Sequence, residues 1–167
     1  MDRDYNPVKV DAPVVAEGQN CWRVGDFLIT AQPTDPQGLG AAWQLGVKSV
    51  VCLRDSAETA NPPYLPFDFS EDTTATALGM CFVNVPFPHG ISQAQFDLRA
   101  GVVLAALGSL PQPLLMHCSS GDRASALWAV HLIRDCGLTT DEAIKYATVS
   151  GLAVFLPYVR NYQPPQG

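Results

Sequence analysis

Short apolar runs alternate with amphipathic stretches along this chain, and the alternation predicts its elements. Two four-residue runs, Cys21–Val24 and Phe27–Thr30, flank Gly25-Asp26, the signature of a tight hairpin. Thr34-Asp35-Pro36-Gln37 joins a capping-box spacing to an early proline and predicts a helix start. Leu39, Ala42 and Trp43 share one face of that helix, and Gly46 supplies its stop. Val50-Val51-Cys52-Leu53 is short, continuous and β-branched, as expected of a parallel strand buried on both faces. A helix is predicted from about Ser70 to Leu78 and a strand over Cys81–Val85. A capping box at Ser92–Gln95 opens a helix with Phe96, Ala100, Val103, Leu104 and Leu107 on its apolar face. Leu114-Leu115-Met116 reads as another buried strand, and a helical pattern follows from Ala124 to Cys136. A third box, Thr139–Glu142, begins a helical C-terminal third. Residues 1–20 read as an extended N-terminal arm, and residues 56–69, with three prolines, as a long irregular loop. A hairpin followed by alternating helices and strands implies one α/β domain over 21–163, with a central, mostly parallel sheet flanked by helices.

Composition narrows the function more than the fold. With 47% apolar and 16% charged residues, the chain is globular in class. No apolar run reaches the ~18 residues that span a bilayer. Met1 to Tyr5 carries three charges and no apolar segment follows, so no secretory signal is expected. A net charge of −6 opposes binding to nucleic acid or an anionic membrane. The five cysteines are odd in number and unpaired in spacing, which suits reduced thiols in a cytoplasm. There is no Cys-x-x-Cys or His-x-x-x-His spacing, so neither a metal nor a cofactor is expected. Oligomeric state leaves no trace in the sequence.

The chemistry concentrates in His117-Cys118-Ser119-Ser120-Gly121-Asp122-Arg123, between a strand and a helix. Such a turn aims backbone N–H groups and a helix N-terminus at one point, where a thiolate or an anion is stabilised. Gly121 lets the backbone approach a bound group, and Arg123 offers a planar fork that matches two oxygens of phosphate, sulfate or thiosulfate. The hydroxyls of Ser119, Ser120 and Ser125 are candidate donors, with Asp122 inside the same loop. Arg54, at the end of an earlier strand, is either a second anion contact or a salt-bridge partner of Asp55 or Glu58. His117 is expected to orient the loop through ring hydrogen bonds. Cys52, Cys81 and Cys136 read as core, although Cys52 and Cys21 are also candidate resolving thiols for an oxidised Cys118. Trp43 and Trp128 read as core, and His131 as a packed or solvated helix residue.

The His-Cys-x-x-Gly loop between strand and helix resembles the signature of the protein-tyrosine and dual-specificity phosphatase superfamily. It is most similar to a small bacterial phosphatase-like branch that also occurs fused to β-lactamase-like hydrolases. Gln32-Pro33 after the first hairpin, Gly46 to Arg54 with Val50 and Leu53, and Ser125-Ala126-Leu127-Trp128-Ala129 carry that resemblance over roughly residues 20–150. It implies a dual-specificity-phosphatase-like fold and hydrolysis of phosphomonoesters, on protein phosphotyrosine or small molecules, through a phosphocysteine at Cys118.

Two departures keep alternatives open. The phosphatase pattern would place the arginine at position 124, which is alanine, whereas Arg123 gives the four-residue spacing typical of rhodanese-like sulfurtransferases. The loop that carries an aspartate general acid in dual-specificity phosphatases reads Pro86-Phe87-Pro88-His89-Gly90 here. His89 is the candidate acid, because its ordinary pKa lies near neutrality, with Asp55 and Asp72 behind it. The sequence therefore supports a cysteine phosphatase, a sulfurtransferase carrying a Cys118 persulfide, or an inactive anion-binding module.

Overall fold

The computed structural model describes residues 4–11, 15, 18–55 and 71–164, so the predicted loop at 56–69 and Glu58 lie outside the described residues. Six described strands form one sheet in the order β1-β2-β3-β6-β4-β5. β2 (Cys21–Val24) and β3 (Phe27–Thr30) are the antiparallel hairpin, turned by Gly25 at φ +57°. β6 (Leu114–His117), β4 (Ser49–Cys52) and β5 (Cys81–Asn84) continue the sheet in parallel with β3. β1 (Val8–Val10) pairs with β2 inside the segment expected to be an arm. Its side chains are mostly exposed, so main-chain pairing rather than an apolar pattern holds it, and the sequence offered no period to read.

Both faces of the sheet are covered, as its parallel centre requires. On one face Leu28, Val50 and Leu115 pack against Leu39 and Ala42 of α1 (Pro36–Gln44) and Ala75 of α2 (Glu71–Ala77). On the other, Ile29, Val51, Leu114 and Met116 meet α3 (Gln93–Leu107), α4 (Asp122–Arg134), α5 (Thr140–Ser150) and α6 (Leu156–Arg160). Neighbouring residues of one strand thus feed opposite cores, the period-2 rule of a pleated strand. α4 is buried from Asp122 through Val130, because it is wedged between the sheet and the other helices of that face.

The capping boxes at Ser92 and Thr139 form with the expected partners, Gln95 and Glu142. In α1 the cap is Asp35 rather than Thr34; its carboxylate accepts from the Gly38 N–H at 2.8 Å, leaving Pro36 in the first turn. Trp43 is half-exposed rather than core, since α1 buries Gly38, Leu39 and Ala42 instead. Cys81 is exposed because β5 is an edge strand. Cys136 is half-buried, whereas Cys52 and Trp128 are buried. All five cysteines are free. No helix of the described residues is long and apolar enough to cross a membrane.

Candidate active site

β6 occupies the middle of the parallel sheet, so Cys118, the first residue beyond it, stands at the centre of the carboxyl edge, where open α/β sheets bind ligands. The loop is shaped by tying its carbonyls outward. The Ser119 carbonyl accepts from the Gln32 N–H at 3.2 Å, and the Cys118 carbonyl lies 3.2 Å from His117 Nδ1. Gly121 then adopts φ +94° and caps α4. A Cβ there would meet the Ser150 carbonyl oxygen and the Thr30 backbone only at ordinary contact distance, so it is the left-handed conformation that favours glycine. The result is a Gly121 N–H aimed at Cys118 Sγ, 3.2 Å away. Cys118 itself is 1% exposed, at the floor of the turn.

Because α4 begins at Asp122 rather than Ala124, Arg123 sits in the first helical turn. Its guanidinium is buried and spans the loop, donating through Nη1 to the Phe87 carbonyl (3.0 Å) and through Nη2 to Ser119 Oγ (3.2 Å). Phe87 is held in turn by Phe96, with centroids 5.5 Å apart, and by Phe155, at 6.1 Å. His89, two residues on, is exposed, and its ring packs on Phe155 at 5.4 Å. The loop after β5 therefore supplies an anchor for Arg123 and carries an exposed imidazole beside it. Asp72 accepts from Thr76 on its own helix, and Asp55 is half-buried directly after Arg54.

Asp122, Ser125 and Arg54, all candidates for the anion site, each have a described partner of their own. The Asp122 carboxylate accepts from the Ala153 N–H (2.7 Å) and the Phe155 N–H (3.2 Å), clamping the segment between α5 and α6 to the start of α4. Ser125 is buried and shares a hydrogen bond with Ser150 Oγ at 2.9 Å, facing the helix layer. Arg54 is buried and donates to Gln32 Oε1 at 2.8 Å, behind the loop. Ser120 is exposed on the rim of a cleft of about 320 Å³ that Asn20, Trp22, Val149 and Val154 also line.

Behind the loop runs a buried polar chain whose middle the sequence did not disclose. Gln32 Nε2 donates to Glu71 Oε1, and Glu71 Oε2 lies 2.6 Å from His117 Nε2. Both partners of the His117 ring, a carbonyl and a carboxylate, are hydrogen-bond acceptors, an arrangement that suits a ring donating from both nitrogens. Burial disfavours the charged ring, but Glu71, together with Cys52, outweighs it and holds the His117 pKa well above the usual imidazole value. Burial likewise raises Glu71, yet His117, Gln32 and Arg54 prevail and keep its carboxyl below the ordinary range. Gln32 was visible as part of a Gln-Pro pair without a role. Glu71 is 46 positions from His117 and carried no signal beyond opening a helix.

Solved structures share this fold at low identity. A candidate phosphatase of Neisseria meningitidis superposes with a TM-score of 0.63 at 22% identity, covering 83% of this chain and 94% of that one. TpbA of Pseudomonas aeruginosa, solved as a cysteine-to-serine variant with phosphotyrosine, gives 0.61 at 18% identity over 90% and 86% of the two chains. The catalytic core of the PP-IP phosphatase SIW14 from Saccharomyces cerevisiae, solved with citrate, gives 0.51 at 18% over 83% and 82%. The fold is thus that of the protein-tyrosine and dual-specificity phosphatase class. Residues 23–134, more than half of the chain, match the phosphatase-like domain of β-lactamase hydrolase-like proteins, and the chain belongs to that family. No curated protein sequence matches it significantly.

Proposed function

We propose that the chain is a cysteine-dependent phosphatase acting on phosphomonoesters. The observation that carries this reading is the Gly121 N–H held 3.2 Å from Cys118 Sγ in a loop whose Cys118 and Ser119 carbonyls are bonded away from it. That polarity suits a thiolate first and the oxygens of a phosphoryl group next. Cys118 attacks phosphorus, forming an S–P bond as the P–O bond breaks, and the leaving oxygen takes a proton from His89. Arg123 and the loop amides hold the phosphoryl oxygens, with Ser119 Oγ already paired to the guanidinium at the rim. Water, giving a proton back to His89, then attacks the phosphocysteine, breaking the S–P bond, releasing phosphate and restoring the thiolate. His117, Ser120 and Gly121 shape the loop, while Asp122, Ser125 and Arg54 support it from behind.

The substrate class covers phosphotyrosine, which the Pseudomonas neighbour was solved with, and small phosphorylated molecules, in keeping with the yeast neighbour's name. Five free thiols support a reducing, cytoplasmic setting. A second reading, a sulfurtransferase with a Cys118 persulfide, is favoured by the four-residue spacing to Arg123 and by the absence of a carboxylate at 86–90. The wild-type chain and Cys118→Ala are to be assayed on an aryl phosphate and on thiosulfate with cyanide. Cys118-dependent phosphate release without thiocyanate supports the phosphatase; the reverse result selects the sulfurtransferase. Anion binding with neither product selects a binding module.

A further inference from the structure

The buried side of the loop holds a second constellation, of which phosphoryl transfer draws only on His117, as a support of the loop. Cys52 ends β4 and is the register partner of His117 on β6, so the two side chains are neighbours across parallel strands. Glu71 reaches the same point from the start of α2. The Cys52 sulfur, a Glu71 oxygen and a His117 ring nitrogen all lie within 4.8 Å of one another, the one such group of metal-ligating side chains among the described residues. Cys52 and His117 are buried, and the Glu71 side chain is 11% exposed.

We propose that Cys52, Glu71 and His117 form a binding site for a borderline-soft divalent ion of the zinc type. The donor set of one thiolate, one imidazole and one carboxylate suits Zn²⁺ or Co²⁺ and not Mg²⁺ or Ca²⁺, which require oxygen ligands. The outer shell is built as metal sites build theirs. His117 Nδ1 donates to the Cys118 carbonyl, fixing the ring with Nε2 toward the cluster, and Glu71 Oε1 accepts from Gln32 Nε2. The charge of the loaded site balances. A divalent ion held by a thiolate, a neutral imidazole and a carboxylate is neutral overall, and ligation forms bonds from the ion to S, N and O as any protons on Sγ and Nε2 leave. A neutral cluster adds no repulsion toward Arg54, one hydrogen bond beyond Gln32. Motif spacing could not show the site, because its ligands come from three separate elements. The proposal does not depend on which reaction Cys118 performs.

The test uses the full chain carrying Cys118→Ser, which removes the reactive thiol, titrated with Co²⁺ and separately with Mg²⁺. One Co²⁺ per chain is expected, with a sulfur-to-cobalt charge-transfer band and no competition from excess Mg²⁺. Adding Cys52→Ser should abolish the band and weaken binding at least tenfold. The absence of stoichiometric binding overturns the proposal. So does a band that survives Cys52→Ser, which would place the ion elsewhere, for instance at Cys136 and His131, whose Sγ and Nε2 are 3.7 Å apart. If Cys52→Ser does not fold, zinc X-ray absorption on the Cys118→Ser chain decides. One sulfur at about 2.3 Å with nitrogen and oxygen at about 2.0–2.2 Å is expected, and a sulfur-free shell contradicts the site.

Discussion

Arg123 is the residue in which geometry and chemistry are most tightly joined. Its buried fork is committed to the Phe87 carbonyl and Ser119 Oγ, two partners that fix its plane before any anion arrives. A lysine would keep the charge and lose that plane. Arg123→Lys is therefore expected to lower kcat/KM for an aryl phosphate by about 10²–10³-fold, with the circular-dichroism spectrum unchanged. His89, the proposed general acid, is exposed with its ring packed on Phe155. Comparing leaving groups isolates that role. His89→Ala should slow hydrolysis of phenyl phosphate by about 10²-fold or more, while an ester with a strongly acidic phenol changes little. Equal loss on both esters would remove His89 from proton transfer.

At the scale of elements, the Asp122 clamp decides how the C-terminal helices meet the loop. One carboxylate accepts from the amides of Ala153 and Phe155, and the same residue opens α4, whose N-terminus favours a negative charge. Asp122→Ala leaves the buried Phe155 donor and the part-buried Ala153 donor without their acceptor. The expected loss is about 2 kcal/mol, read by urea denaturation. Strand β2 makes a separate prediction through pH. Burial pushes the Cys21 thiol from 9.0 up to about 12. The folded state thus holds a proton that the unfolded chain releases, so this contribution is complete below pH 9 and lost as pH rises toward 12. Cys21→Val should flatten the decline of thermal stability as pH rises above 9 toward about 11; an unchanged slope would show that the thiol does not titrate there.

The elements also show what a sequence can disclose. The Ser92 and Thr139 boxes and the Gly25 turn were readable because each is closed by residues at most three positions apart. The apolar face of α3 was readable for the same reason of period. Trp43, Cys81 and β1 were not, because their exposure depends on which strand or helix lies alongside, and the strand order is not local information. The site divides in the same way. Cys118, Gly121 and Arg123 share one contiguous loop and stood out together. The directions of Asp122, Ser125 and Arg54, and the participation of Glu71, depend on contacts 25 or more positions away, or on a chain of partners through Gln32.

For the whole molecule, a parallel sheet covered on both faces delivers one strand end, that of β6, to its centre, and the rest of the chain holds that end still. The hairpin side contributes Gln32, the loop after β5 contributes the Phe87 carbonyl, and the helical layer contributes Ser150 and the amides that Asp122 binds. The proposed mechanism requires Cys118 to become covalently phosphorylated. It is tested most directly by acid-quenching the enzyme within its first turnover of a ³²P-labelled aryl phosphate and mapping the label by peptide mass spectrometry. Label is expected on the peptide containing Cys118 in the wild-type chain and none in Cys118→Ala. Phosphate release at full rate with no labelled cysteine, or with label on another residue, would contradict it.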